Sequence, residues 1–313
     1  MRCTILTVLL VFTHALLPAN EEGIKSSTDL QLQISSAPEA KLSLNQQFIF
    51  PFLQGSGPLT TDNNIALNLS AEVTPVSMDG FTEISWTPAA FFVLSGGGLL
   101  YSGWNIFLGN GIGINAPIDE GAAPPREAKI FGSAFDGLVW QTWGAGTAQF
   151  DLGAVIPGDW THVLFLTRQE FRYSAYTRAG PHDAWIFEND DGENMNGWYY
   201  YARYVLGYSM PRSPVLDTIA LMAEMKKFLY NTPNGDFWGE NLGEWTFSGI
   251  LNFSINPRFS TTVTAQVITR RNHGISNFYN KDYYYQDFEL LKEGGKRRLI
   301  FYRAAAVLNF KIR

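Results

Sequence analysis

The chain has 313 residues, of which 46% are hydrophobic, 15% aromatic and 17% charged, and its formal net charge at pH 7 is −6. That acidic balance excludes a nucleic-acid partner, which requires a basic surface. The single cysteine is Cys3. If the leader predicted below is removed, the mature chain has no thiol for a disulfide, a cysteine-ligated zinc ion or a cysteine nucleophile.

Residues 1–19 are predicted to be a cleaved secretory signal peptide. Arg2 precedes an apolar run over residues 5–17, and Ala19 is a small residue suited to cleavage. The alternative, a membrane anchor, is disfavoured because the run is shorter than the roughly 18 residues that a spanning helix needs. The mature chain would be residues 20–313, in which loss of Arg2 leaves 22 basic against 29 acidic side chains and a net charge of −7.

Alternating apolar and polar residues predict β-strands along the first part of the mature chain. Leu42 and Leu44, for example, alternate with Lys41 and Ser43, which is the period of two expected of a strand with two different faces. The glycine-rich segment Ser95-Gly96-Gly97-Gly98 predicts a tight turn. The predicted strands here are 28–36, 41–53, 63–75, 80–94 and, after that turn, 99–108.

The same period continues to the end of the chain. The segment 245–268 is apolar at odd positions on both sides of Asn256-Pro257-Arg258, which predicts a hairpin in which Ile255 pairs with Phe259. In the last strand, the predicted apolar stripe runs from Ile300 to Ile312 at even positions. The predicted strands are 146–156, 160–176, 197–209, 215–230, 244–256, 258–271 and 298–312.

Three segments leave alternatives open. In 160–176 the apolar positions change from even at Leu164 to odd at Phe171, which predicts a β-bulge. The segment 213–230 starts like a helix, but a helix there would leave an odd number of strands. The segment 282–291 is treated as part of a loop, and if it is instead a hairpin arm the count becomes 14.

Short turns and long loops alternate between these strands. Tight turns are predicted at 157–159, 210–214 and 256–258, and long loops at 109–145, 177–196, 231–243 and 272–297. With antiparallel neighbours, the turns lie at one end and the loops at the other. The mature chain thus resembles a bacterial outer-membrane β-barrel, with short periplasmic turns, long external loops and an apolar band facing lipid.

This resemblance implies an all-β fold: a single antiparallel transmembrane β-barrel of about 12 strands over residues 20–313, in the outer membrane of a diderm bacterium. The apolar face would contact outer-membrane lipid, and the barrel assembly machinery would be a partner during biogenesis. The Ser, Thr, Asn and Gln face would line the lumen. Arg313 follows Phe310 and Ile312 and departs from the aromatic ending usual in such barrels.

Aromatic residues near the strand ends are predicted to sit at the two membrane interfaces. Trp198 and Trp245 begin strands at the loop end, whereas Trp160, Tyr208 and Phe259 lie beside turns. These are the two depths of the aromatic girdles of such barrels. The alternative is that aromatic residues simply favour strands.

Strand parity also predicts which charged and tyrosine side chains point into the lumen. A ring of such residues would form a charged constriction that selects among solutes. The alternative is an ionic network that braces a closed lumen. The predicted pore-lining residues are Glu170, Arg172, Tyr199, Tyr201, Arg203, Glu224, Arg270 and Arg303.

No pattern in the sequence predicts catalysis or a cofactor. His273 and Ser276 share a polar loop, but no group that would order them is near. The acidic segment 188–194 lacks the alternate ligand positions of an EF-hand calcium loop. The chain is therefore predicted not to be an enzyme and to have no metal site.

The function predicted first is a porin-like channel that passes small hydrophilic solutes by diffusion. One alternative is a barrel with a closed lumen that acts as a structural or surface-interaction protein through its loops. A further alternative is a secreted, soluble β-sandwich that binds carbohydrate through surface aromatic residues.

Overall fold

The computed structural model describes most of residues 20–313. The described residues are 23–37, 39–106, 109–117, 128–156, 158, 162–180, 183, 185–188, 194–210, 213–229, 243–271 and 297–312. The predicted signal peptide and the segment 282–291 lie outside these residues.

Within this part of the chain, twelve long strands form one closed barrel. In chain order they are β1 (Lys25–Ser35), β2 (Glu39–Pro51), β3 (Asn64–Thr74), β4 (Ser77–Ala89), β5 (Phe92–Gly103), β6 (Val139–Asp151), β7 (Val163–Tyr176), β8 (Gly197–Ser209), β9 (Leu216–Phe228), β10 (Glu244–Asn256), β11 (Phe259–Arg271) and β12 (Arg297–Lys311). Short strands outside the barrel are Asn105–Ile106, Gly109–Asn110, Ile112–Pro117, Ala128–Phe131 and Trp185–Phe187, and Leu152–Ala154 forms a 3-10 helix.

Each barrel strand pairs antiparallel with its neighbours in sequence, and β1 closes the barrel against β12. Leu32 lies opposite Leu308 at this seam. The predicted all-β barrel of twelve strands is confirmed, and a two-sheet sandwich is not the fold. Because the count is even, β1 begins and β12 ends at the same end of the barrel. We call this end the turn end and the opposite end the loop end.

Alternation along the strands separates an apolar outer surface from a polar interior. In β2, Leu42 and Leu44 are exposed on the outside whereas Lys41 and Ser43 are buried in the lumen. In a soluble protein so many exposed leucines would be costly, but on a membrane barrel they contact acyl chains. No helix among the described residues is long and apolar enough to cross a membrane.

The sequence predicts short turns at one end of the barrel and long loops at the other, but the structure has exceptions at both ends. The connections 177–196, 229–243 and 272–296 all leave the loop end, as does 104–138. Two short turns, 36–38 and 75–76, also lie at the loop end, and 52–63 is an extended connection at the turn end. Both short turns at the loop end fall in the N-terminal strands, where the alternation of turns and loops was not assigned from the sequence.

In the β10–β11 hairpin the apolar side chains lie on the predicted face, but the turn is shorter than predicted. Leu251 pairs with Val263, so odd residues oppose odd residues and the outer apolar stripe is continuous. The pairing of Ile255 with Phe259 is wrong, because Asn256 pairs with Phe259 and a register shift falls at Ile255. The turn is Pro257–Arg258, and the Arg258 amide donates to Asn256 Oδ1 at 2.9 Å.

The predicted turn at 95–98 is wrong, because these residues lie inside β5. The preceding turn is Ala90–Phe91, and the predicted strand 99–108 is the second half of β5 and ends at Gly103. A Cβ on Gly97 would lie 2.5 Å from Trp143 Cζ2 on the neighbouring strand. Gly97 therefore leaves room for the Trp143 side chain. In the sequence, a glycine that serves this purpose cannot be distinguished from a glycine in a turn.

Two further predictions about parity are corrected. The register of β7 is continuous on both sides, so no bulge follows Leu166, and even residues face the lumen throughout. A register shift does occur in β12 between its pairings with Gln266 and Val267. Before that bulge, Leu299 and Phe301 are the exposed outer residues, rather than Ile300 and Tyr302. The predicted strand at 213–230 is confirmed as β9.

Candidate functional site

The lumen contains a line of alternating charges on β7, which we call the β7 triad: Arg168, Glu170 and Arg172. Successive even residues share the inner face, so the glutamate lies between two guanidinium groups. Glu170 is 0% exposed. It accepts from Arg168 Nε at 3.0 Å and from Arg172 Nε at 2.7 Å. Bonds from two cations offset the cost of burying this carboxylate.

Side chains from β4 and β6 extend the triad across the lumen. Glu83 accepts from Arg168 Nη2 at 2.8 Å and from Trp143 Nε1 at 3.0 Å. The Arg172 guanidinium lies 4.5 Å over the Trp143 ring and donates to Gln141 Oε1 at 2.9 Å. The sequence pattern did not predict Glu83, Arg168, Trp143 or Gln141 as site residues. Trp143 and Gln141 were missed because the strand was predicted to begin only at residue 146.

A second buried ion pair joins β8 to β9. Arg203 and Glu224 are ladder partners, and they are 1% and 2% exposed. Arg203 donates to Glu224 Oε1 from Nη2 at 2.9 Å and from Nε at 3.1 Å. Tyr201 donates its hydroxyl to the same carboxylate and accepts from Arg203 Nη2 at 2.8 Å. Tyr199 lies beside them, 5.9 Å from the Arg172 guanidinium.

A third set lies at the loop end of β12, β2 and β3. Arg303 is 1% exposed and donates to Glu39 Oε2 at 2.6 Å and to Gln266 Oε1 at 2.7 Å. Lys41 forms an ion pair with Glu72. The structure thus places six of the eight predicted pore residues together on the inner face of β7 to β9. Arg303 lies apart from them with Glu39 and Gln266, and the side chain of Arg270 lies outside the described residues.

Two loops fold over part of the loop end. The strands Trp185–Phe187, Ile112–Pro117 and Ala128–Phe131 form a small sheet, which we call the mouth sheet. Ile112, Trp185 and Ile186 are buried. Ile112 and Trp185 pack with Val139 and Tyr176 of the barrel. This apolar cluster closes the mouth on the side of β4 to β7.

Glu188 fastens the mouth sheet to the barrel. Its carboxylate accepts from Ser77 Oγ at 3.0 Å, and its amide donates to the Gly111 carbonyl at 2.9 Å. Its φ of 54° is in the left-handed region, which a glutamate adopts only when its surroundings fix it.

The two sides of the lumen differ in chemistry. On what we call the packed wall, β7 to β10, the turn-end half holds an apolar cluster that includes Leu166, Val205 and Met222. On what we call the polar wall, formed by β11, β12, β1, β2 and β3, several buried polar atoms have no hydrogen-bond partner in the protein. They belong to Ser27, Gln31, Asn45, Gln47, Ser70, Thr264 and Asn309. Further such atoms lie on other strands, at Asp79 on β4, Ser95 on β5, Gln149 on β6 and Thr246 on β10.

The predicted interface aromatics lie on the outer face where they are described. Trp198 is exposed at the loop end and contacts Tyr173 edge to face, and Tyr173 stacks on Trp140 at 5.1 Å. Trp245 stacks on Phe247 at 5.9 Å between ring centroids. Tyr208 and Phe259 lie near the turn end, whereas Trp160 is outside the described residues. Their role at a membrane interface stays a prediction.

Little in the described part of the chain suggests chemistry. His162 Nδ1 lies 3.5 Å from Asp151 Oδ2 at the turn end, and both side chains are about one-third exposed. Among the described residues, no group of three His, Cys, Asp or Glu side chains could hold a metal ion. The prediction that the chain is not an enzyme stays a prediction.

Comparisons with known proteins found similarity only in structure. No family model and no curated protein matches the chain. Over 92% of its length it is similar to 99% of the KdgM porin, at 10% identity and a TM-score of 0.41. Over 92% it is similar to 98% of the β-domain of the Bordetella autotransporter BrkA, at 8% identity and a TM-score of 0.39.

A third solved structure is the translocator domain of the Neisseria meningitidis autotransporter NalP, with 97% of this chain covering 94% of that one at 9% identity and a TM-score of 0.37. Identities of 10% or less assign no function to this chain. The closed twelve-stranded barrel itself has the porin-like architecture of outer-membrane barrels.

Proposed function

We propose that this chain is an outer-membrane channel of a diderm bacterium that passes small hydrophilic solutes along the polar wall of its lumen. The observation that carries the proposal is the concentration of unpaired buried polar atoms on five adjacent strands, which hold seven of the twelve such atoms among the described residues. Buried polar atoms are almost always satisfied, by protein or by water. We therefore place the water-filled path along this wall, where hydroxyl and amide groups have no protein partner.

The side chains of the packed wall differ from those of the polar wall, and this difference supports placing the solute path along the polar wall. On β7 to β9, many of the packed wall's lumen-facing side chains are apolar, such as Leu166 and Val205, or paired ions, such as Arg203 with Glu224, whereas β10 presents the neutral polar side chains Thr246, Ser248 and Asn252. On β7, β8 and β9, no described side chain has a buried polar atom without a partner. In this proposal, the predicted pore residues Glu170, Arg172, Tyr199, Tyr201, Arg203 and Glu224 brace the packed wall, and Arg303 borders the solute path.

Ion pairs at the loop end would set the selectivity. Arg303 with Glu39 and Lys41 with Glu72 place both signs of charge across the polar wall. Opposed charges create a transverse field that favours small dipolar solutes and gives little preference for either sign of ion. Because Arg303 and Lys41 are buried, the path is narrow.

The proposal is tested by planar-bilayer conductance and liposome swelling with the mature chain. A tryptophan in place of Gln31 would fill the polar wall, so the Gln31→Trp variant should lose conductance by about tenfold. The matched control is Leu32→Trp, because Leu32 is the next residue and faces lipid. Equal conductance of the two variants would contradict the proposed path.

One observation favours a second candidate, a closed barrel with a structural or surface-interaction role. Glu170, Arg203 and Glu224 are 0 to 2% exposed, as expected of a brace in a filled lumen. A wild-type barrel that shifts on heating in electrophoresis but passes neither ions nor small sugars would support that candidate and overturn the channel.

A further inference from the structure

A groove of about 530 Å³ lies on the outer, lipid-facing surface of the barrel. Its floor is made of three small outward residues, Ala223 on β9, Gly249 on β10 and Ala265 on β11. Gly249 and Ala265 are direct ladder partners, so their lack of bulk forms one continuous depression. This groove belongs to no part of the proposed solute path, which runs inside the barrel.

Gly249 is not explained by packing within the chain. A Cβ added there would meet no atom within 4 Å. Its pairings with Leu221 and Ala265 lie in regular stretches of both ladders, with no bulge at this position. Glycine inside a strand weakens it and often marks a place where a ligand approaches the backbone closely.

Bulky apolar side chains form the walls. Towards the loop end, Phe247, Val267 and Phe301 stand in one row as successive ladder partners. On the β8 side, Leu206 and Leu221 are paired and strongly exposed. A smooth apolar floor between aromatic and branched walls fits a flexible, unbranched hydrocarbon. Because small residues also occur where membrane proteins contact one another, a second copy is one of the outcomes of the test below.

The groove is continuous with the lipid-contacting surface of the barrel, so its occupant comes from the bilayer. It extends from Phe165 on β7 to Phe301 on β12. Five strand spacings of about 4.8 Å give the groove a width of roughly 24 Å around the barrel, which is wide enough to hold one acyl chain. We propose that this groove binds one acyl chain of a membrane lipid in a fixed position.

Native mass spectrometry of the refolded full mature chain with dipalmitoyl phosphatidylglycerol tests the proposal. The wild-type barrel should keep one lipid at collision energies that strip the rest. Gly249→Leu should lower that retention about tenfold or more, because the side chain occupies the site. Ala265→Leu should also lower lipid retention. Because it changes a different strand, agreement between the two variants shows that the loss does not come from a folding defect of one of them.

Gly80→Leu is the matched control. Gly80 is also an outward strand glycine at which a Cβ meets nothing within 4 Å, but it lies on β4, outside the groove. Equal retention by Gly249→Leu and Gly80→Leu, with both folded by the heat-shift test, would overturn the acyl-chain site. A stable dimer that the groove variants abolish would overturn it in favour of a second copy. Neither result depends on conductance, so the proposed channel stands or falls separately.

Discussion

The Arg203–Glu224 pair shows how single residues hold the lumen together. Both side chains are buried and paired with one another. Truncating Glu224 to alanine leaves a buried guanidinium with no carboxylate, and we expect the free energy of unfolding to fall by about 3–5 kcal/mol. Urea unfolding from lipid vesicles, followed by tryptophan fluorescence, measures the change.

The double variant Arg203→Leu with Glu224→Leu provides the control for that experiment. Removing both charges leaves no unpaired ion, so most of the loss should be recovered. A double variant as unstable as Glu224→Ala would mean that shape, and not charge pairing, makes this contact important.

Polar-wall residues give a second prediction at this scale. In a chain produced from residue 20 onward, which lacks Cys3, single cysteines report water access directly. Ser70→Cys should react with a small methanethiosulfonate reagent about tenfold faster than Ala220→Cys, which lies in the apolar cluster of the packed wall. Equal rates would contradict the asymmetry of the lumen.

At the scale of elements, the mouth sheet is the feature that sequence analysis did not find. Its strands lie within the predicted loops 109–145 and 177–196 and are too short to show a period. Glu188→Ala removes its contact with Ser77, so we expect faster hydrogen exchange at Trp185–Phe187 and higher conductance. Asp183→Ala, a change in the same loop at a residue that accepts from Gly180, should leave both unchanged.

Elements that were predicted correctly are those whose two faces differ strongly in polarity. In β10, Phe247 and Leu251 face lipid while Ser248 and Asn252 face the lumen, so parity alone assigns the strand. The start of β12 has no such contrast, because Leu299 and Ile300 are both apolar. There the bulge is set by pairing with β11 and is invisible in the pattern.

The ion-pair partners in the lumen could not be predicted, because they are far apart in the sequence. Parity correctly placed Arg303 in the lumen, but its partner Glu39 is 264 residues away in sequence and could not be assigned without the closed barrel. The same holds for Glu83 with Arg168, which belong to β4 and β7. The sequence therefore predicts which face a charge occupies, whereas barrel closure decides which charge it meets.

At the scale of the whole molecule, stability depends on that closure. Deleting residues 297–313 removes β12 and leaves β1 and β11 with unpaired backbone groups in lipid, each of which costs several kcal/mol. We expect the truncated chain to give no heat-shifted band in electrophoresis after refolding. Deleting only Arg313, which follows the last strand, should leave the shift intact. A truncated chain that still runs as a heat-sensitive compact species would mean that eleven strands can close, and the β1–β12 seam would not be essential.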